Sequence, residues 1–171
     1  MSSPLLILCG PAFSGKSTLA THLRFRWGFE VVSLDEINAR RGLHGGQGIP
    51  DAEWARTAAI AREEARALLA VPPTRVVVDD TFCFRFLRDD FVRLASEAGR
   101  ESVILVLATP EQEIRRRISE NARAGARPGI VSPVLERHLA TFEWPGEDEP
   151  HRSFDELGSI DAWLADEGLR W

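Results

Sequence analysis

Eight consecutive residues, Gly10, Pro11, Ala12, Phe13, Ser14, Gly15, Lys16 and Ser17, match the spacing G-x-x-x-x-G-K-[ST] without departure. Their chemistry is that of cradling a phosphate chain. Two glycines let the backbone curl so that successive N–H groups converge on one anion, and a helix starting after Gly15 adds positive dipole. Lys16 brings a point charge to the β and γ phosphates, and the Ser17 hydroxyl can fill one coordination site of a hydrated Mg²⁺. Gly10 to Thr18 are therefore the expected nucleotide contacts, with ATP and Mg²⁺ as the implied ligands. Of the 21 basic residues, 20 are arginine and Lys16 is the only lysine, so the general preference for arginine is overruled at this one position. The same count leaves no lysine for an Asn-Lys-x-Asp guanine-reading element, which disfavours a GTP switch.

Three acids stand where such a loop could use them. Asp35 follows the apolar segment Phe29 to Leu34 and is placed to accept or align the proton of an attacking hydroxyl, with Glu36 as its rival and a helix cap as its structural alternative. Asp79 and Asp80 follow three valines, close enough to order the Mg²⁺ water shell; adjacent strand residues point to opposite sides, so one of them, Asp79 ahead of Asp80, is expected to reach the metal. Positive charge for the transferred phosphoryl group would come from the arginine cluster Arg115, Arg116, Arg117, Arg123 and Arg127. That cluster flanks a Gly/Ala-rich stretch suited to a lid at about residues 111–130. Taken singly, these arginines also fit a solvated helix face paired with Glu111, Glu113 and Glu120.

The elements that must hold these residues read as alternating strands and helices. Leu5 to Cys9, Arg75 to Asp79 and Ser102 to Ala108 are unbroken apolar runs of the kind buried on both faces of a parallel sheet. Between them lie helical patterns over Lys16 to Arg26, Ala52 to Ala70 with Asp51 as cap, Arg88 to Ala98 and Glu111 to Ala122 with Thr109 as cap and Pro110 in the first turn. Further helices are expected over Pro133 to Phe142 and near Ile160 to Ala165. A fifth strand is poorly signalled, Arg152 to Leu157 being a weak candidate, and Arg41 to Pro50 reads as a Gly-rich flap. The pattern predicts an α/β three-layer sandwich of the P-loop NTPase type, a parallel sheet flanked by helices.

At 171 residues, 44% of them apolar, the chain is long enough for one domain, residues 1–171, and two separate cores would each be unusually small. The net charge of −5 disfavours a non-specific binder of nucleic acid. The two cysteines, Cys9 and Cys83, point to a reducing compartment, and with no apolar segment long enough to span a bilayer a cytoplasmic protein without membrane contact is expected. Composition is silent on oligomeric state.

Taken in order, LILCGPAFSGKST, VVSLDEI, VVVDDT, ATPEQEIRRRI and SPVLERHLATFEWP resemble the small P-loop kinases that include polynucleotide 5′-hydroxyl kinases, chloramphenicol phosphotransferase and the zeta toxins. The resemblance runs from Leu5 to about Glu149. It implies that Lys16 and Ser17 bind the nucleotide phosphates and Mg²⁺, that Asp35 meets the acceptor hydroxyl, and that Arg117 is the lid arginine. Where such kinases often carry a second arginine four residues on, this chain has Asn121, so either Arg123 or Arg127 substitutes or the second contact is missing. Phe82, Phe84 and Phe86 depart from the polar residues expected after Asp80 and hint at an apolar or aromatic part in the acceptor. Trp54, Phe82 and Phe84 are the expected wall of its pocket. The function expected is ATP-dependent phosphorylation of a hydroxyl on a small molecule, such as an antibiotic, sugar, nucleoside or nucleotide sugar. The alternatives are a polynucleotide 5′-hydroxyl kinase and a nucleotide-dependent regulatory module.

Overall fold

The structure, a computed structural model, describes residues 3–43, 48–125, 130, 132–154 and 157–167. The apolar runs form β1 (Leu5–Cys9), β2 (Phe29–Ser33), β3 (Arg75–Asp79) and β4 (Ser102–Leu107), joined at one edge by β5 (His151–Phe154). All pair in parallel in the order β2-β3-β1-β4-β5. Parallel strands need crossovers, and these are α1 (Lys16–Trp27), α2 (Leu34–Arg40), α3 (Asp51–Leu69), α4 (Arg85–Glu97), α5 (Glu111–Ala124) and α6 (Ser132–Ala140), with α7 (Leu157–Glu167) after β5.

Strand β1 is central and buried along its whole length. Its side chains alternate, so Leu5, Ile7 and Cys9 pack with Ala61, Ala65 and Leu69 of α3 and with Phe91 and Leu94 of α4. Leu6 and Leu8 pack on the opposite face with Leu19 and Leu23 of α1 and with Ile160 and Leu164 of α7. The expected three layers follow directly. Each such leucine contributes about 1.5–3 kcal/mol by leaving water, so the strand that carries the Gly10–Ser17 loop is the best-anchored element of the chain. The carboxyl ends of β1, β2 and β3 lie together at one sheet edge, which gathers the loop, Asp35, Asp79 and Asp80.

Several local expectations are corrected. The fifth strand exists, but it is short, polar and half-exposed at the sheet edge, so it lacks the apolar run of a central strand. Leu34 and Asp35 are helical, not the end of a strand: Ser33 caps α2 by accepting from the Glu36 backbone N–H at 3.3 Å, and Asp35 is therefore not a cap. The extended residues before α3 and α5 are Pro50 and Pro110, which displaces Asp51 into the first turn of α3 and takes the cap role from Thr109. Thr109 instead donates its hydroxyl to the Ser14 carbonyl at 2.8 Å, bracing the phosphate-binding loop. Helix α4 starts at Arg85 rather than Arg88. No helix among the described residues is long and apolar enough to cross a membrane.

Candidate active site

Where β1 ends, the chain turns sharply. A Cβ on Gly10 would stand 2.8 Å from Ser14 Oγ and 3.1 Å from the Leu107 carbonyl, so no larger residue fits there. Gly15 has φ 103, a left-handed conformation costly for any side chain, and its missing Cβ leaves room for Arg117 Nη1 at 3.3 Å. Between them Phe13 is also left-handed, with φ 65. The loop opens onto a cavity of about 1500 Å³ lined by Ala12 to Thr18, Asp35, Asp79, Asp80 and Arg117. Gly10 and Pro11 form the base of the turn and do not line it.

Lys16 is buried and donates from Nζ to the Pro11 carbonyl at 2.8 Å, folded back over its own loop. Burial lowers its pKa against the opposing pull of Asp79 and Asp80. Burial likewise raises the Asp79 pKa, opposed by Lys16 and by a hydrogen bond from the Ser17 hydroxyl. Asp80 is pushed up to about 6, again chiefly by burial, although the Thr81 backbone and Lys16 favour its ionised form. Both acids line the cavity, and of the two it is Asp79 whose ionised form the Ser17 hydroxyl favours.

Asp35 lines the cavity from the first turn of α2, whereas Glu36 stays outside it and pairs with Arg24 at 3.8 Å across the surface. One turn on, Asn38 lines the same wall. The arginines divide as their sequence left open. Arg115 pairs with Glu111 and Glu136, and Arg116 with Glu113 and Glu120, all on an exposed face. Arg117 alone of the three reaches the loop, donating from Nε to Glu113 at 2.7 Å and from Nη1 to the Phe13 carbonyl at 3.2 Å. Hydrogen bonds from Arg116 and Arg117 hold the Glu113 carboxyl down to about 2. Arg123 is exposed and not on the cavity wall, where Glu120 and Asn121 stand instead. Arg127 lies outside the described residues.

The far side of the cavity is apolar, with Leu34, Trp54, Ala58, Phe84 and Phe86. Phe84 and Phe86 stack with centroids 5.8 Å apart and planes at 10°. Phe82 is not part of this wall: it is buried edge-on against Phe91 at 5.3 Å and belongs to the core. The stretch is held by Arg88, which is fully buried and forks onto Glu149 at 2.7 and 2.9 Å. Its Nη1 also donates to the Phe82 and Glu143 carbonyls. Burial opposes ionisation of Glu149, but the Arg88 hydrogen bonds outweigh it and keep the carboxyl low. His138 of α6 also lines the cavity, its Nε2 buried without a hydrogen-bond partner among the described residues and its pKa lowered by burial and by Lys16. Sequence reasoning passed over Asn38, Arg88 and His138. Of these only Asn38 had a usable signal, three residues beyond Asp35 on one helix face.

Residues 5–145, the span holding the loop, Asp35, Asp79 and Asp80, match the AAA domain family AAA_33. The chain belongs to that family. Among curated relatives, this AAA domain is 34% identical over 142 residues to a tRNA dimethylallyltransferase of Thiobacillus denitrificans, covering 83% of the chain and 42% of the relative. A second tRNA dimethylallyltransferase, from Sorangium cellulosum, is 30% identical and matched over 58% of its length, so the chain spans about half of such relatives. Among solved structures, a Chloroflexus aurantiacus protein assigned as a kinase superposes with TM-score 0.75 at 18% identity, over 98% of this chain and 97% of that one. A gluconokinase from Sinorhizobium meliloti gives 0.67 at 22% identity, over 98% and 95%. The AAA domain therefore has the P-loop kinase-like fold.

Proposed function

We propose that the protein is an ATP-dependent kinase that transfers the γ-phosphate to a hydroxyl of a small molecule. The observation carrying this reading is that one cavity is lined both by the phosphate-binding loop, Asp35 and Asp79 and by apolar side chains that include Trp54 and Phe84. A donor and a largely apolar acceptor can meet there.

The donor set fits Mg²⁺: a hydroxyl and a carboxylate already paired, a second buried carboxylate beside them, and a lysine for the phosphates. Ser17, Asp79 and Asp80 would hold the ion and its waters, and when bound it offsets charge on the β and γ oxygens. Residues Gly10 to Thr18 hold the triphosphate through backbone N–H groups. Lys16 leaves the Pro11 carbonyl for the phosphate, and Arg117 swings from the Phe13 carbonyl to the phosphoryl oxygens, each exchanging a neutral acceptor for an anionic one. Asp35 accepts the proton of the acceptor hydroxyl as its oxygen forms the new P–O bond. The bond to the bridging oxygen breaks, and ADP leaves with that electron pair. Arg123 is remote from the wall and would contribute only after movement of the segment that carries it.

The named relatives favour a second reading, transfer of a dimethylallyl group onto tRNA, which the apolar wall could also serve. The net charge of −5 and the carboxylate-paired arginines count against a polyanionic acceptor. An ATP-consumption screen of hydroxylated metabolites, antibiotics and 5′-hydroxyl oligonucleotides tests the proposal, with tRNA and dimethylallyl diphosphate in a parallel arm. Phosphorylation of a small alcohol is expected. Turnover confined to the tRNA arm would overturn the reading.

A further inference from the structure

Asn38 is only 3% exposed, its Nδ2 has no hydrogen-bond partner among the described residues, and its side chain lines the cavity one helical turn from Asp35. A buried donor without an acceptor is rare. A reversed amide does not explain it, because the orientation is fixed from behind. Arg41 donates from Nη1 to Thr57 Oγ1 at 2.6 Å, and its Nη2 is paired with the Glu53 carboxylate. A guanidinium can only donate, so Thr57 Oγ1 receives from Arg41 and donates its own proton to Asn38 Oδ1; with the amide reversed that proton would have no acceptor among the described residues. The NH₂ end is thereby committed to the ligand side.

Building on the phosphotransfer reading, we propose that Asn38 is a specificity-determining residue of the acceptor subsite. Its Nδ2 donates to a neutral oxygen, hydroxyl or carbonyl, on the carbon next to the hydroxyl that Asp35 receives. The acceptor class is then a vicinal diol or α-hydroxy carbonyl compound with an apolar body against Trp54 and Phe84. An anionic group is a poor fit at this point. Among the described residues the cation behind Asn38, Arg41, is already spent on Glu53 and Thr57, and Asp35, Asp79 and Asp80 share the cavity. Spacing supports two-point contact, since residues three apart on α2 stand side by side on one face.

The test compares 1-phenylethane-1,2-diol with 2-phenylethanol, which lacks the second oxygen, in an ATP-consumption assay of the full chain. The wild type should favour the diol in kcat/KM by at least about tenfold, because a site built to donate to an oxygen rejects a ligand without one. Asn38→Asp keeps the shape and removes the donor; it should erase that preference while leaving KM for ATP within about twofold. Thr57→Val, which frees the amide to rotate, should reduce the preference several-fold. No preference in the wild type, or its survival in N38D, would overturn the proposal. If neither alcohol is phosphorylated, the subsite is still decided by side-chain amide NMR of the ¹⁵N-labelled wild type with each alcohol, while the phosphotransfer reading is decided separately by the broader screen. Movement of the Asn38 NH₂ pair by the diol alone supports it, and movement by both or by neither refutes it. The same spectra decide the matter should N38D not fold.

Discussion

Replacing Lys16 with alanine removes the one lysine of the chain from a loop that otherwise offers a phosphate only backbone N–H groups and a hydroxyl. Nucleotide-dependent turnover should vanish while the melting curve stays close to wild type, since Nζ bonds only to its own loop at Pro11. Near-normal turnover in K16A would mean that the loop does not serve the reaction. Asp35→Asn should cut kcat by roughly 10²–10⁴, the range for a positioned base, and leave KM for ATP almost unchanged. An equal loss of ATP binding would put Asp35 among the nucleotide contacts instead. At this scale the sequence was legible in placement: the loop, Asp35 and Asp79, each expected just after a strand, do line one cavity. Asn38 was not legible, because its meaning depends on Thr57 and Arg41, 19 and 3 positions away, folding back behind it. Residue pattern alone left Arg117 as one of five and the family resemblance singled it out; of the three on α5 it is the one that reaches the loop.

Helix α4 and the loop after α6 are joined by the buried Arg88–Glu149 fork, and the aromatic wall hangs from the same place through the Phe82 and Glu143 carbonyls. Arg88→Met leaves the Glu149 carboxylate buried without its partner and should cost about 3–5 kcal/mol in urea unfolding. The double variant R88M/E149L should recover most of that loss, and failure to do so would mean that the carbonyl contacts of Arg88, not its charge pairing, hold the loop. Phe84→Ala should raise KM for the acceptor with little change in KM for ATP, because Phe84 lines only the apolar side of the cavity. Equal effects on both would place the nucleotide against that wall. Elements with unbroken apolar runs, such as β1 and β4, could be read directly, whereas β5 could not, since a polar edge strand earns its place through pairing with β4. The short helix α2 was hidden for another reason: its cap, Ser33, is also the last residue of β2.

Across the whole molecule the acidic balance predicts weak dependence of acceptor affinity on salt, since few counterions are released when a small neutral ligand binds. A steep loss of affinity between low and moderate salt would favour a polynucleotide acceptor. Stability should also carry the mark of Asp80. Its folded pKa of about 6 stands above the ordinary 3.8, so between those values the native state holds the proton more tightly than the unfolded chain. Stability therefore falls as pH rises through that window and stays low above it. In nucleotide-free protein with a chelator, Asp80→Asn should be more stable than wild type at pH 8 by on the order of 3 kcal/mol, the gain shrinking towards pH 4. An equal gain at both pH values would show that ionisation of Asp80 is not the cause. The solitary lysine has a use of its own. Because it occurs once, and at the first residue of α1, protein grown with ¹⁵N-lysine as its only label would give a single backbone amide signal, lodged where a β-phosphate would sit. That one peak would report nucleotide arrival, departure and exchange rate without any resonance assignment.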